Sequence, residues 1–283
     1  MTAPEIFDRT ARRLHRDRAA GQFASADFLH RFMMEGLTER LAGVKRTFRD
    51  MLDLGCWDAG FPPPSSATVV RADPGRSFAK VAGGVQCDED RLPFADEAFD
   101  LVVSVGVLDQ INDLPGALRL IRRVLRPDGL FLGAFLGAGT LPALRAALRA
   151  AQRDQPVARM HPQIDVRSAG DLLARAGFAL PVADTESLSV RYGSLFDLLR
   201  DLRGMAATNS LRERHLLRRS ELAAAAQAFA AQTDESGRTA ERFEIVYCTG
   251  WAPDASQPQP ARRGSATASL ADALKPPSGE SPG

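Results

Sequence analysis

Residues 87–135, CDEDRLPFADEAFDLVVSVGVLDQINDLPGALRLIRRVLRPDGLFLGAF, decide the fold because they form one continuous strand, helix, strand unit. The run from Phe99 to Val105 is largely apolar, contains three valines and is followed by Gly106. A run of this kind predicts a strand that is buried on both faces of a parallel sheet. The rest of the chain can therefore be arranged around an interior strand.

A helix is expected directly after this strand. Apolar residues recur at helical spacing, and the residue before the first of them is Asp113, which suits an N-cap. The sequence Arg-Pro-Asp-Gly at 126–129 predicts the end of the helix, and Leu130–Leu136 predicts the second strand. Two parallel strands joined by a covering helix are the simplest arrangement of these three elements. The apolar face of the predicted helix consists of Leu114, Ala117, Leu118, Ile121 and Leu125.

Further strands are predicted on both sides of this unit. The expected strands are 51–55, 68–72 ending at Asp73, 83–87 at a sheet edge, 178–182, 188–192 and 243–251. The expected helices are 5–20, 27–41, 140–153, 168–176, 195–202 and 211–231. A helix is excluded from the first crossover, because Pro62, Pro63 and Pro64 remove backbone donors there.

Alternating strands and helices, with acidic residues at strand ends, predict an α/β fold with a doubly wound, mostly parallel sheet. Its ligand cleft is expected beyond the carboxyl ends of the strands. We divide the chain into an N-terminal helical segment (1–42), a main domain (43–251) and a tail (252–283). The tail is rich in Pro, Ser, Gly and Ala, which predicts disorder. The basic face of the first helix is interpreted as solvated, with contact to an acidic partner as the alternative.

Composition limits the classes of partner and compartment. The 36 basic and 35 acidic side chains leave a net charge of +1, so nucleic-acid binding is not expected. Cys56, Cys87 and Cys248 are isolated, which argues against a disulfide framework or a zinc site and for a reducing cytoplasm. The sequence contains no run of 18 apolar residues, so no membrane span is predicted, although peripheral contact with a membrane stays open. His15 and Asp17 are two apart on a helix and do not share a face, so no metal site is predicted.

Several motifs resemble those of class I S-adenosylmethionine-dependent methyltransferases. They are DLGC at 53–56, the strand-end Asp73, the turn from Asp88 to Phe94, FDLVVS at 99–104 and LRPDGLF at 125–131. The resemblance implies a seven-stranded sheet with an antiparallel last strand and S-adenosylmethionine as cofactor.

A narrower resemblance covers almost the whole chain. IFDRTARRLHRDRAA at 6–20, LDQINDLPGAL at 108–118, DLLRDLRGMAATNS at 197–210 and IVYCTGW at 245–251 are similar to the methyltransferase-like assembly factors of respiratory complex I. This resemblance implies hydroxylation of an arginine on a core subunit of complex I, which would be the partner. It also implies the cytoplasm for a bacterial-type chain and the matrix side for mitochondrial equivalents.

The methyltransferase resemblance also implies roles for six residues. Asp53 and Gly55 would border the methionine end of the cofactor, and Ser104 would line the cleft. Asp73 would accept hydrogen bonds from the ribose hydroxyls, because a carboxylate at a strand end can take both.

The remaining two positions are Asp88, which would face the adenine amino group, and Glu89 beside it. A solvated turn is an equal alternative for both. No catalytic residue is identified, because no Ser-His-Asp arrangement or activated cysteine is present.

The turn after the first strand departs from the methyltransferase pattern. Trp57 stands where the family has its second glycine, and Asp58 and the three prolines follow. An indole would fill the space of the cofactor's carboxylate, and the missing helix would forfeit roughly 0.3–1 kcal/mol of dipole attraction. Three functions stay open: an assembly enzyme of the hydroxylase type, a working methyltransferase of unknown acceptor, and a non-catalytic assembly chaperone.

Overall fold

Seven strands form the centre of the protein in a computed structural model that describes residues 5–152 and 158–258. The strands are β1 (Asp50–Leu54), β2 (Thr68–Asp73), β3 (Val85–Gln86), β4 (Phe99–Val105), β5 (Leu125–Leu136), β6 (Ala179–Tyr192) and β7 (Thr239–Trp251). Their order is β3-β2-β1-β4-β5-β7-β6. The first five are parallel, and β7 runs antiparallel between β5 and β6. The predicted sheet, including its antiparallel last strand, is confirmed.

Helices cover both faces of this sheet, and apolar clusters fill the space beneath them. They are α1 (Arg9–Ala19), α2 (Phe28–Ala42), α3 (Arg76–Val81), α4 (Leu114–Val124), α5 (Pro142–Ala150), α6 (Val166–Ala176), α7 (Leu195–Gly204) and α8 (Arg219–Ala230). Among the described helices, none is long and apolar enough to cross a membrane.

The unit of β4, α4 and β5 forms as the sequence predicts. Every residue of β4 is buried, and the carboxylate of Asp113 caps α4 by accepting a hydrogen bond from the backbone N–H of Gly116 at 2.8 Å. The second strand is longer than predicted, because it begins at Leu125 and includes the Arg-Pro-Asp-Gly sequence. The chain enters the sheet directly after α4, because Leu125 pairs with Phe99 and Asp128 adopts a left-handed backbone with φ 57°.

The first crossover contains no helix, as the three prolines predict: residues 55–67 are turns and irregular backbone. The backbone N–H groups of Gly55 and Cys56 both donate to the carbonyl of Ala72, at 2.8 and 3.2 Å. These bonds fasten the start of the crossover to β2. The turn after β1 therefore lies at the carboxyl end of the parallel strands.

Two predictions for the carboxyl half are corrected. The two short strands at 178–182 and 188–192 are one 14-residue strand, β6, because it pairs with β7 along nearly its whole length. The helix predicted from Leu211 begins only at Arg219, because Leu211 instead forms a bridge with Phe7.

Helices α1 and α2 belong to the same compact unit as the sheet, and this unit ends at Pro253. The predicted disorder of the tail falls mostly on residues 259–283, which lie outside the described residues.

Candidate functional site

The turn after β1 places a tryptophan at the edge of the sheet where methyltransferases hold their cofactor. Trp57 has a left-handed backbone with φ 46°, a conformation that favours glycine. The side chain is only 4% exposed, and its indole N–H donates to the carbonyl of Val105 at 2.9 Å. The indole is thus a packed part of the cleft rather than a surface side chain.

Three aromatic rings enclose this indole. Phe23 stacks on it at a centroid distance of 4.9 Å, Phe78 lies edge-on at 5.0 Å, and His30 lies at 3.8 Å. Burial, together with the charge of Arg16, lowers the pKa of His30 to about 3, so its ring is neutral at physiological pH. The space that remains beside Asp53 and the indole is a cavity of about 10 Å³. Such a cavity accommodates no more than a single water molecule.

Arg16 of α1 reaches into the same place and binds the strand-end acid. Its Nε and one terminal nitrogen contact the two carboxylate oxygens of Asp73 at 2.8 and 2.5 Å. The guanidinium also lies 3.6 Å from the centre of the Trp57 ring. Asp73 accepts two further hydrogen bonds, from the backbone N–H groups of Gly75 and Trp57, and it is completely buried. The carboxylate predicted to hold the ribose is therefore fully engaged within the chain.

A second buried pair joins α1 to the loop after β3. Both terminal nitrogens of Arg12 bind the carboxylate of Glu89, at 2.7 and 2.8 Å, and one of them also donates to the carbonyl of Val107 at 3.0 Å. Burial alone would lower the pKa of Arg12, but the charge and hydrogen bonds of Glu89 raise it above its ordinary value. Glu89 is completely buried.

The adjacent acids are bound in the same way. Arg13 contacts the carboxylate of Asp88 at 2.7 Å, and Arg9 binds both oxygens of Asp90 at 2.6 Å. Arg9 also contacts Asp88 at 3.3 Å. The arginines of α1 are therefore matched to the acids at the ends of β2 and β3.

The other predicted site residues border this assembly. Gly55 has φ 80°, and a Cβ there would lie 2.6 Å from a methyl group of Val107, so only glycine fits. Asp53 is buried, and one of its carboxylate oxygens has no hydrogen-bond partner among the described residues. Burial raises the pKa of Asp53 to about 7, although Arg71 opposes this. Ser104 is buried with its hydroxyl unpaired among the described residues, so it lies in the sheet interior.

S-adenosylmethionine is the cofactor that the methyltransferase fold implies, and the residues present do not fit it. The acid predicted to bind the ribose is paired with Arg16, and those predicted near adenine are paired with Arg12 and Arg13. The indole of Trp57 and its neighbours occupy the remaining volume. In this arrangement α1 and Trp57 fill the cleft: α1 occupies its nucleoside side, and Trp57 occupies the place of the cofactor's carboxylate.

The structure brings the predicted acids together at the expected edge of the sheet. The interpretation of the basic face of α1 as solvated is wrong, because Arg12 and Arg16 are buried and their acidic partners lie within the same chain. Conversely, Ile6 and Leu14, two apolar residues of the predicted first helix, are 47% and 45% exposed. The arginines of α1 were thus missed as site residues, although their spacing along one face was visible in the sequence.

A separate cavity of about 280 Å³ opens beside the cleft. It lies between the segment that follows β4, the start of α5, helix α7 and the residues before α8. Six leucines form much of its apolar wall: Leu136, Leu141, Leu144, Leu195, Leu199 and Leu202. A pocket of this size accommodates a small ligand or a single large side chain.

Polar groups line one part of the cavity. Among the described lining residues, Asp109 is the one carboxylic acid, and burial raises its pKa to about 6. His161 accepts a hydrogen bond from the backbone N–H of Ser210 at 2.9 Å, and burial lowers its pKa to about 4. Arg159 contacts both carboxylate oxygens of Glu221 at 3.2 Å. Within residues 5–152 and 158–258, no group of three His, Cys, Asp or Glu side chains could hold a metal ion.

Comparisons with known proteins agree with this architecture. Residues 52–133 match the family model described as a methyltransferase domain. The chain is 37% identical to the mitochondrial arginine-hydroxylase NDUFAF5 of Danio rerio, over 95% of this chain and 90% of that protein. It is also 33% identical to a malonyl-[acyl-carrier protein] O-methyltransferase of Methylovorus, over 90% of this chain and 93% of that protein.

Among solved structures, the YcgJ protein of Bacillus subtilis has the same fold. It superposes with a TM-score of 0.56 at 15% identity, covering 80% of this chain and all of that one.

Proposed function

Because the chain belongs to the family of the arginine hydroxylase NDUFAF5, we propose that it hydroxylates an arginine side chain on a partner protein. The observation that carries this proposal is the 37% identity to the zebrafish hydroxylase along 90% of that protein's length. The resemblance to complex I assembly factors supports a core subunit of complex I as the partner. The reaction would take place in the cytoplasm of the bacterial cell.

The filled nucleoside cleft favours hydroxylation over methyl transfer. S-adenosylmethionine could bind only if Arg16 left Asp73 and the indole of Trp57 moved, which would break the buried ion pair between Arg16 and Asp73. Breaking a buried ion pair in this way costs about 3–5 kcal/mol. A methyltransferase would have to recover that free energy from cofactor binding.

A second candidate function, the non-catalytic assembly chaperone, is favoured by the same observation. A cleft filled by the chain's own side chains would suit a protein that kept the fold and lost the cofactor. The two candidates differ in one product, the modified arginine.

Mass spectrometry of the complex I core subunits separates these functions. The gene is deleted, and arginine-containing peptides are compared with those of the parent strain and of the strain that carries the gene on a plasmid. The proposal expects an arginine that carries one additional oxygen atom in the parent, loses it on deletion and regains it on complementation. An arginine pattern unaffected by deletion, together with lost complex I assembly, would establish the chaperone instead.

A further inference from the structure

We propose that the 280 Å³ cavity binds the side chain of the substrate arginine, and that the carboxylate of Asp109 binds its guanidinium group. This inference rests on the proposed function, because the hydroxylase activity identifies the substrate as an arginine. It assigns a specificity-determining residue to a site that is separate from the filled nucleoside cleft.

The position of Asp109 follows from the end of β4. The strand ends at Val105, and a short 3₁₀ turn at Leu108–Gln110 places Asp109 at the carboxyl edge of the sheet, where α/β proteins bind ligands. Asp109 lines the cavity, and among the described residues its carboxylate forms no ion pair, although the charges of Arg12 and Arg16 act on it from a distance. A partly buried acid that forms no ion pair offers a favourable site to a guanidinium, which can bind both of its oxygens.

The other charged groups near the cavity are already neutralised. Arg159 is paired with Glu221. Arg12 and Arg16, whose charges both act on Asp109, are paired with Glu89 and Asp73. His161 is uncharged, since its pKa is lowered to about 4. The lining therefore presents a net negative charge to an incoming ligand, which favours a cation over a carboxylate or a phosphate.

The apolar wall suits the rest of an arginine side chain. Arginine buries its three methylene groups along apolar surface while its charged end makes polar contacts. Leucines of β5, α5 and α7 supply that surface, and Asp109 stands on the polar side together with Thr208 and Asn209. The cavity volume is also close to the lower limit of small-molecule pockets, roughly 300 Å³, and suits one side chain.

The nucleoside cleft and the cavity meet at α1. Arg12 donates to the carbonyl of Val107, two residues before Asp109, while its other contacts hold Glu89 in the cleft. The helix that fills the cleft thus also supports the backbone from which Asp109 projects.

Binding is tested on the full-length protein with a blocked arginine, N-acetyl-arginine-N-methylamide, followed by NMR titration. The neutral isostere N-acetyl-citrulline-N-methylamide and the apolar N-acetyl-norleucine-N-methylamide are titrated in parallel. We expect the arginine probe to bind at least tenfold more tightly than either analogue and to shift the amide signals of Thr208 and Asn209. Asp109→Asn should remove this preference, and Asp171→Asn, which removes an exposed acid on α6, should preserve it. Equal binding of all three probes, or an unchanged preference in Asp109→Asn, would overturn the assignment.

A test in cells distinguishes failure of this inference from failure of the proposed function. The deletion strain receives the wild-type gene, Asp109→Asn or Asp171→Asn, and the modified arginine is quantified together with the amount of folded protein. We expect wild type and Asp171→Asn to restore the modification and Asp109→Asn to lower it at least tenfold at equal protein level. Full restoration by Asp109→Asn would refute the role of Asp109 and leave the hydroxylase function intact. If deletion itself changed no arginine, the proposed function would fail, and the inference would fail with it.

Discussion

Replacing Arg16 by methionine tests whether α1 is an integral part of the cleft. The guanidinium is buried, forms two hydrogen bonds with Asp73 at 2.8 and 2.5 Å, and lies 3.6 Å from the centre of the Trp57 ring. Methionine keeps much of the apolar length of the side chain but removes the charge and its hydrogen bonds. The Arg16→Met variant therefore isolates the electrostatic part of the interaction.

The size of the expected stability loss follows from the carboxylate of Asp73, which stays buried without its cationic partner in the variant. Removing one partner of a buried ion pair costs about 3–5 kcal/mol, because the other charge stays buried without compensation. Asp73 would keep the backbone N–H groups of Gly75 and Trp57, at 2.7 and 3.2 Å, so the lower part of that range applies. Loss of the contact with the indole adds up to about 2 kcal/mol. We expect a loss of about 3–5 kcal/mol in the free energy of unfolding.

Urea denaturation followed by tryptophan fluorescence measures this loss. The matched control is Arg200→Met, which removes an exposed guanidinium paired with Asp197 and should cost less than about 1 kcal/mol. Combining Arg16→Met with Asp73→Asn should cost less than the sum of the single changes, with a coupling of about 2 kcal/mol. If Arg16→Met cost no more than Arg200→Met, or if the single changes were additive, the buried pair would have no part in stability.

Three further predictions concern the same region and the core. Asp53 has a pKa of about 7 in the folded protein against about 3.9 when unfolded, so its contribution to stability is present below pH ~4 and lost as the pH rises to about 7. At pH 8, Asp53→Asn should therefore be more stable than wild type by on the order of 4 kcal/mol. Urea titrations should show this difference vanish near pH 4, and a difference independent of pH would contradict the prediction. Trp57→Gly should relieve about 1–2 kcal/mol of strain in the left-handed backbone but lose about 3–5 kcal/mol of packing. The variant should therefore unfold at a lower temperature than wild type. A higher unfolding temperature would show that the indole is not packed. The three cysteines are buried, and burial raises the pKa of each thiol. A thiol reagent should therefore modify none of them in the native state and all three in urea. Rapid labelling of the native protein would contradict their placement.

The strands and most helices follow from local patterns, and so were predictable from the sequence. The run from Phe99 to Val105 is buried on both faces, and three prolines exclude a helix from the first crossover, because both effects depend on neighbouring residues alone. The long strand β6 was divided in two, since its alternating exposure weakens the apolar signal in the middle. Its continuity depends on pairing with β7, which lies far away in the chain.

The candidate site was predicted only in part, for a related reason. Positions of Asp73 and Glu89 at strand ends follow from local sequence, and Trp57 was recognised as an obstacle to cofactor binding. Their pairing with Arg16 and Arg12 was not predictable from helical periodicity, because an arginine face is indistinguishable from a solvated one until its partners are known. Asp109 was likewise hidden, since its role depends on walls contributed by α5 and α7.

Titration calorimetry of the full-length protein with S-adenosylmethionine tests whether α1 and Trp57 fill the cofactor cleft. We expect no measurable binding heat at millimolar cofactor, and the same result with S-adenosylhomocysteine, because Asp73 and Glu89 are completely buried and paired. Micromolar affinity that is lost in Asp73→Ala would contradict it, since that result would require the cofactor to occupy the place of Arg16.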